Sequence, residues 1–409
     1  MKYINLFETQ ADYAAAQKYY PNVSYIEATD EVVYQENDPG PDYSKEYLTF
    51  EALESGTFTL TVPAGIDSTY MTSVSYSTDD GANWTTTTID NTAQTITTPT
   101  ITSGSKVLWK GDGFAMATGI YTCSKFSSTG RFNVYGNIMS LLYGDDFQSV
   151  TTLPNRYLFS SLFISASKLV SAENLVLPAT TLTDYCYQNM FNKCTSLTTA
   201  PELPATTLAV RCYDSMFKDC TSLTTAPELP ATTLLSYCYN SMFEDCTSLT
   251  TAPELPVTTL TEYCYQSMFW GCTSLTTAPE LPATTLATSC YNNMFWGCTS
   301  LTTAPELPAT TLAYNCYGSM FNGCTSLTTA PELPATTLTD YCYVSMFANC
   351  TSLNRIKMLA TNISANGCLR GWVYNVAATG TFTKAASMTT LPTGANGIPS
   401  GWTVVDATA

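Results

Sequence analysis

Leu203-Pro204-Ala205-Thr206-Thr207-Leu208-Ala209-Val210-Arg211-Cys212-Tyr213-Asp214-Ser215-Met216-Phe217-Lys218-Asp219-Cys220-Thr221-Ser222-Leu223-Thr224-Thr225-Ala226-Pro227-Glu228 returns almost unchanged every 26 residues down the middle of this 409-residue chain. Its first cysteine recurs at Cys186, Cys212, Cys238, Cys264, Cys290, Cys316 and Cys342, and its second at Cys194, Cys220, Cys246, Cys272, Cys298, Cys324 and Cys350. A fixed period of this length marks a solenoid, because one unit cannot bury its apolar side alone and stacked units can.

Within a unit the apolar spacing changes once. Leu182, Cys186, Met190 and Cys194 step by four, with Tyr187 and Phe191 one place along. That pattern predicts one face of a short helix, with Thr180 or Thr181 capping its start. Beyond Cys194 come Leu197, Ala200 and Leu203 with Pro201 and Pro204, which suits a short extended segment and a turn. Each unit is therefore expected to be a short strand, a corner and a helix.

The run Cys-x-x-Leu-x-x-Ala-Pro-x-Leu-Pro, joined to Met-Phe-x-x-Cys, resembles the BspA-like class of leucine-rich repeats. The resemblance implies that the segment equivalent to Leu197–Leu203 forms the stacked strand and that the Met-Phe pair fills the core beneath the helix. The expected fold class is α+β, a leucine-rich-repeat solenoid over residues 182–353 preceded by a small antiparallel β-sandwich. The class includes adhesins, and fold alone does not carry function.

The flanks read as caps and a separate unit. Leu162-Phe163, Ala166, Leu169 and Leu177–Leu182 form a degenerate coil with Ala166 in a cysteine position, so residues 121–181 are expected to be linker and N-terminal cap. Leu353, Ile356, Ile363, Cys368 and Trp372 keep the register after the array, and Thr381–Thr383 and Gly397–Val405 read as closing strands of a capping region, 354–409. Upstream, Phe58, Leu60 and Val62 alternate, as do Val74 and Tyr76, then Val107 and Trp109, placing the sandwich at 47–120. Residues 1–46 combine a helix at Thr9–Tyr19, an extended Val23–Ile26 and an acidic linker, Glu36–Asp42. They are expected to be an attachment segment that orders against a partner.

Net charge is −17. Residues 1–60 hold 11 acids against 3 bases, and residues 182–353 hold 13 against 3, so no basic stripe is present to collect phosphates and nucleic acid is not an expected partner. Met1–Tyr20 lacks an apolar core of signal-peptide length and carries Glu8 and Asp12, and no stretch has the ~18 consecutive apolar residues of a membrane span. The expectation is a chain made soluble, without export signal or lipid-attachment cysteine, the first cysteine being Cys123. Tyr20–Tyr25 and Asn133–Gly144 resemble pieces of repeat proteins from gut bacteria and their phages. Together these readings imply a virion-associated fibre or decoration protein that meets virion proteins through its N-terminal segment and a glycan or host receptor through its solenoid. The alternative is a bacterial cell-surface adhesin.

Chemistry has little support. The chain has 16 cysteines and no histidine. Cysteines eight apart on a helix lie ~12 Å apart, beyond the ~7 Å limit for a bridge. No Cys-x-x-Cys pair suggests zinc, so buried free thiols are expected, with no metal and no cofactor. Without histidine, a nucleophile elbow or a phosphate loop, no catalytic residue is expected. Ser77–Trp84 resembles the Asp-box of sialidase propellers, a hairpin brace, and Asp145-Asp146 read as solvated or capping. Glu202, Glu228, Glu254, Glu280, Glu306 and Glu332 form a column of like charge able to attract divalent cations. The unit-to-unit differences collect at 183–185, 188–189 and 192–193 and their equivalents, on the expected outer helical face. There Trp270 and Trp296, with Tyr263 and Tyr314 nearby, are the candidate ligand-binding residues.

Overall fold

The computed structural model describes residues 41–408 except Phe114 and Ile120, together with the backbone of Val23–Ala28 and Glu31–Glu36. The expected helix at Thr9–Tyr19 lies outside the described residues. Val23–Ala28 (β1) pairs antiparallel with Glu31–Glu36 (β2).

The next region builds two sheets around one aromatic core. Leu48–Ala52 (β3), Phe58–Val62 (β4), Met71–Ser77 (β5), Thr85–Thr88 (β6), Gln94–Thr97 (β7) and Lys106–Gly113 (β8) follow the alternation read from the sequence, buried residues taking every second place in β4 and β8. After the short strands Ala117–Gly119 (β9) and Thr122–Cys123 (β10), the chain continues into Lys125–Ser128 (β11) and Phe132–Asn137 (β12). The smaller sheet runs β11-β4-β7, and the larger runs β12-β3-β8-β5-β6. Phe50 of β3 meets Phe58 of β4 at 5.4 Å and Phe126 of β11 at 4.8 Å, and Trp109 of β8 meets Phe126 at 5.0 Å, so the sheets share these rings.

The strand pairings within 47–120 are antiparallel, and parallel pairing enters at β12, which lies in the segment 121–181 expected to be linker and cap. This strand pairs antiparallel with β3 on one side and parallel with Leu169–Ser171 (β13) and Leu175–Val176 (β14) on the other. Those last two belong to the first coil, so the larger sheet hands its edge directly to the solenoid. Gly136 sits at the hand-over with φ 83, and a side chain there would run into the Tyr47 carbonyl. Residues 41–46 also pack onto this unit: the Tyr43 ring lies 5.3 Å from that of Tyr135, and Asn137 Nδ2 donates to Ser44 O at 3.0 Å.

The solenoid coils have the expected inward set but no helix. Residues 182–194 and their equivalents form a chain of tight turns, and the one α-helix among the described residues is the single turn Ser140–Tyr143 (α1). Every second N–H closes a turn within the coil, as in Met190 N to Tyr187 O (3.2 Å) and Cys194 N to Phe191 O (3.0 Å). The alternate ones reach the next coil, as in Tyr187 N to Cys212 O (3.0 Å) and Phe191 N to Met216 O (2.9 Å). Every fourth residue is left-handed: φ is 61 at Tyr185, 56 at Asn189 and 63 at Lys193. An α-helix spends its N–H groups four residues back and excludes that conformation from its interior. The Thr181 series, read as caps, instead forms parallel bridges between coils, as in Thr181 to Thr207 and Thr207 to Thr233.

The strand side is regular only at the end. Between most coils it is a row of single bridges, such as Thr225 to Thr251 and Thr251 to Thr277, because the two prolines of each unit remove ladder donors. Thr329–Leu333 (β15), Arg355–Met358 (β16), Thr381–Lys384 (β17) and Thr403–Asp406 (β18) form a parallel sheet in that order. β16, β17 and β18 contain no proline.

Inside, each repeated side chain becomes a column. Tyr213, Tyr239 and Tyr265 stack at 5.9 Å, and Phe217, Phe243 and Phe269 at 5.7 Å, all with planes within 7° of parallel. At the front, Phe163 continues the phenylalanine column onto Phe191 at 5.4 Å. At the back, Trp372 covers both columns, 6.4 Å from Tyr343 and 6.1 Å from Phe347, and its Nε1 donates to Gly397 O at 2.9 Å.

Candidate functional site

The turn face carries the positions that differ between coils. One of its columns is built of left-handed residues, partly covered by the neighbouring coils and, at Ser289, fully. The column through Tyr185 reads Tyr157, Tyr185, Arg211, Tyr237, Tyr263, Ser289, Asn315 and Tyr341. Tyr157 stacks on Tyr185 at 4.6 Å, the Arg211 guanidinium lies 3.9 Å from the Tyr237 ring centre, and Tyr237 stacks on Tyr263 at 4.4 Å. Arg211 also holds Asp214 at 2.8 Å. This tyrosine–arginine ladder was missed in the sequence, where its signal was a Tyr or Arg directly before each first cysteine from Cys186 to Cys264.

A second column, Asn192, Lys218, Glu244, Trp270, Trp296, Asn322 and Ala348, contains the candidate indoles. Trp270 and Trp296 stack at 4.6 Å with planes 1° apart, each partly buried, so each ring covers one face of the other. Lys218 Nζ pairs with Glu244 Oε1 at 2.7 Å one coil before. The glycines that follow, Gly271 and Gly297, both have φ 73, and the Asp245 carboxylate occupies the place a side chain on Gly271 would take. Burial raises the Asp245 pKa, helped by the neighbouring Glu244 and Asp219. Tyr263 and Tyr314 are not part of the indole pair. Their ring partners are Tyr237 at 4.4 Å and Tyr341 at 5.7 Å, in the tyrosine columns.

Variable positions are also buried, several of the column through Gln188 among them. Gln188, Asp214 and Asn292 are buried, at 7%, 4% and 9% exposure, because adjacent coils close over this place. They form polar rungs between coils: Gln188 Nε2 and Asn240 Nδ2 both donate to Asp214 at 2.9 Å, and Gln266 Nε2 donates to Asn292 Oδ1 at 3.2 Å. A buried polar group with such partners aligns the coils.

The other candidates resolve simply. The Glu202 column is exposed and lies along grooves between prolines of successive coils, as at Glu228 and Glu254. Glu332 pairs with Lys357 at 2.8 Å, and among the described residues no group of three or more acids or cysteines is placed to hold a metal. Ser77–Trp84 is a hairpin brace between β5 and β6, with Asp79 accepting from Ser77 Oγ at 2.7 Å and from Asn83 N at 2.9 Å. Trp84 stands beneath Lys110 Nζ at 4.2 Å. Lys110 in turn holds Asp145, which also accepts from Tyr47 Oη, both at 2.7 Å. The Lys110 ammonium, then Tyr47, keep the Asp145 carboxyl below its usual range, while burial and Asp145 push Tyr47 up to about 12. The cysteines are free thiols, and all except Cys123 are buried. Among the described residues no helix is long and apolar enough to cross a membrane.

The family model described as BspA type leucine rich repeat region matches in 6 copies, over residues 163–302 and 254–367. No curated protein and no solved structure matches the chain. The matched span takes in most of the degenerate first coil and the whole run of near-identical units, and ends just before Cys368. By that match the chain belongs to the BspA-type leucine-rich-repeat family.

Proposed function

We propose that this chain is a non-enzymatic attachment protein that presents coil-specific side chains on a stiff, uniform rod. The observation that carries the reading is the partition of change among the coils. Inward cysteine, tyrosine, methionine and phenylalanine columns repeat without variation, while positions of the turn face differ and place two partly buried indoles side by side. A solenoid with an invariant core and a varied face is a scaffold for recognition. Large aromatic side chains are the usual energetic anchors of such surfaces.

The finer setting we propose is a virion, as a fibre or decoration protein bound through that part of the expected 1–46 attachment segment which precedes Pro41, with a bacterial surface adhesin as the alternative. The resemblance of Tyr20–Tyr25 and Asn133–Gly144 to phage and gut-bacterial repeat proteins supports it. Mass spectrometry of purified particles and of fractionated cells tests the setting, and a chain recovered only from the cell envelope overturns the virion reading. Trp270→Ala with Trp296→Ala tests the contact: attachment to host cells should fall while thermal unfolding is retained. Full attachment by the double variant removes the indole pair from the reading.

A further inference from the structure

Stacking across coils covers both faces of the inward tyrosines of the solenoid. Tyr239 lies between Tyr213 and Tyr265 at 5.9 Å on either side, and Trp270 and Trp296 each cover one face of the other. Tyr157 opens its column at the junction with the β unit. Tyr185 covers one of its faces at 4.6 Å, and among the described residues no ring stacks on the other. That ring borders a cleft of about 630 Å³ at the junction between the β unit and the first coils, whose walls include Tyr70, Thr118, Arg156, Thr183 and Asp184.

The cleft is built from both sides of the junction and has its polar groups fixed. Arg156 Nε holds Asp184 Oδ2 at 3.2 Å, and Asp184 Oδ1 accepts from Val210 N at 3.2 Å. Thr183 Oγ1 donates to Asn155 O at 2.6 Å, and Tyr157 N donates to Asp184 O at 3.1 Å. Tyr70, 38% exposed, stands at the β-unit side. An uncovered aromatic ring beside an anchored carboxylate and guanidinium suits a ring-shaped polar ligand with one apolar face and hydroxyls on its rim. Pairing of the two charges favours a neutral ligand, and the volume lies in the ~300–1,000 Å³ range of small-molecule sites.

We propose that this junction cleft binds a neutral pyranoside, the terminal sugar of a glycan, with its C–H face on Tyr157 and its hydroxyls on Arg156 and Asp184. The site is separate from the indole pair and does not rest on it. The test titrates the full chain with the methyl glycosides of glucose, galactose, mannose and N-acetylglucosamine, using saturation-transfer NMR and calorimetry. At least one should bind. Tyr157→Asn, which keeps a residue tolerant of the left-handed backbone (φ 59) but removes the ring, should weaken it at least about tenfold. Tyr157→Phe should retain it, and Arg156→Met, made at a 70% exposed side chain, should weaken it while Asp184 stays held by the Val210 N–H. Absence of binding by all four glycosides overturns the proposal, and so does unchanged affinity in both Tyr157→Asn and Arg156→Met. Binding lost in the Trp270→Ala, Trp296→Ala chain but kept in Tyr157→Asn overturns the cleft while leaving the indole reading standing.

Discussion

The thiol of Cys272 donates to the carbonyl of Phe243, one coil back, at 3.1 Å, and the same carbonyl accepts the N–H of Cys246 at 3.1 Å. The relationship repeats along the array, at Cys220 to Phe191 and Cys324 to Phe295, both 3.1 Å. A cysteine here is a small apolar filler that also donates a hydrogen bond between coils. Cys272→Ala should destabilise the chain by about 1–2 kcal/mol, from the lost bond and the small void. Unfolding in guanidinium without reductant should release 16 thiols, and recovery of far fewer would contradict the free-thiol columns.

Alkaline pH should unfold the solenoid cooperatively. Burial pushes Cys186 from 9.0 up to about 12, and pushes Tyr213 and Tyr239 well above the ordinary tyrosine range. With a folded-state pKa above the unfolded one, the unfolded chain gives up protons first. Stability is therefore complete below pH 9 and falls between about 9 and 12. A melting temperature flat from pH 7 to 8.5 and dropping steeply by pH 10.5 is the expected profile; a flat one to pH 10.5 would refute it.

The turn chain and a helix make opposite predictions at Ser319, where φ is 53. Glycine in a helix interior costs about 1 kcal/mol relative to alanine. In the left-handed region it is favoured over alanine by about the same amount. Ser319→Gly should thus be more stable than Ser319→Ala by about 1 kcal/mol in denaturant titrations, and the reverse order would restore the helix.

Truncating a column should cost what a closed core costs. Phe269→Ala should lose about 3–5 kcal/mol and Met268→Ala about 2–5 kcal/mol, since both are fully buried between like residues. Trp372→Ala uncovers the ends of two columns, so hydrogen exchange should accelerate first in the coils around Tyr343 and Phe347.

A chain beginning at Pro41 should fold as the full protein does, because Tyr43 and Ser44 keep their contacts with Tyr135 and Asn137. Loss of particle or envelope association in that chain is the expected result if residues 1–40 are the anchor. Undiminished association would remove the anchoring role.

The repeat, its inward set and its register through Trp372 were legible because a 26-residue period leaves no other economical way to bury Cys, Tyr, Met and Phe at fixed places. The helix was a misreading of that same regularity. A true helix drifts about 40° for every four residues, whereas Leu182, Cys186, Met190 and Cys194 hold their face without drift. The residues at the left-handed positions carried a second signal: Asn189, Ser215 and Asn293 in one series, Asp219, Gly271, Gly297 and Asn349 in the next. Position 188 was read as outward because its residues are polar and varied. What buried it was the neighbouring coil, and contact between coils does not show within a single unit. The same limit hid the pairing of β12 with β13 and β14, which joins segments more than thirty residues apart.

Since the backbone of each coil bonds to the coil before and after it, through contacts that repeat at the same offset, excising one 26-residue unit would leave each remaining backbone donor with an equivalent acceptor and both ends intact. Rod length is then a quantity counted in whole coils. The near-identical copies that specify it are natural substrates for recombination, so reach can change in single steps while the two ends of the molecule keep their structures.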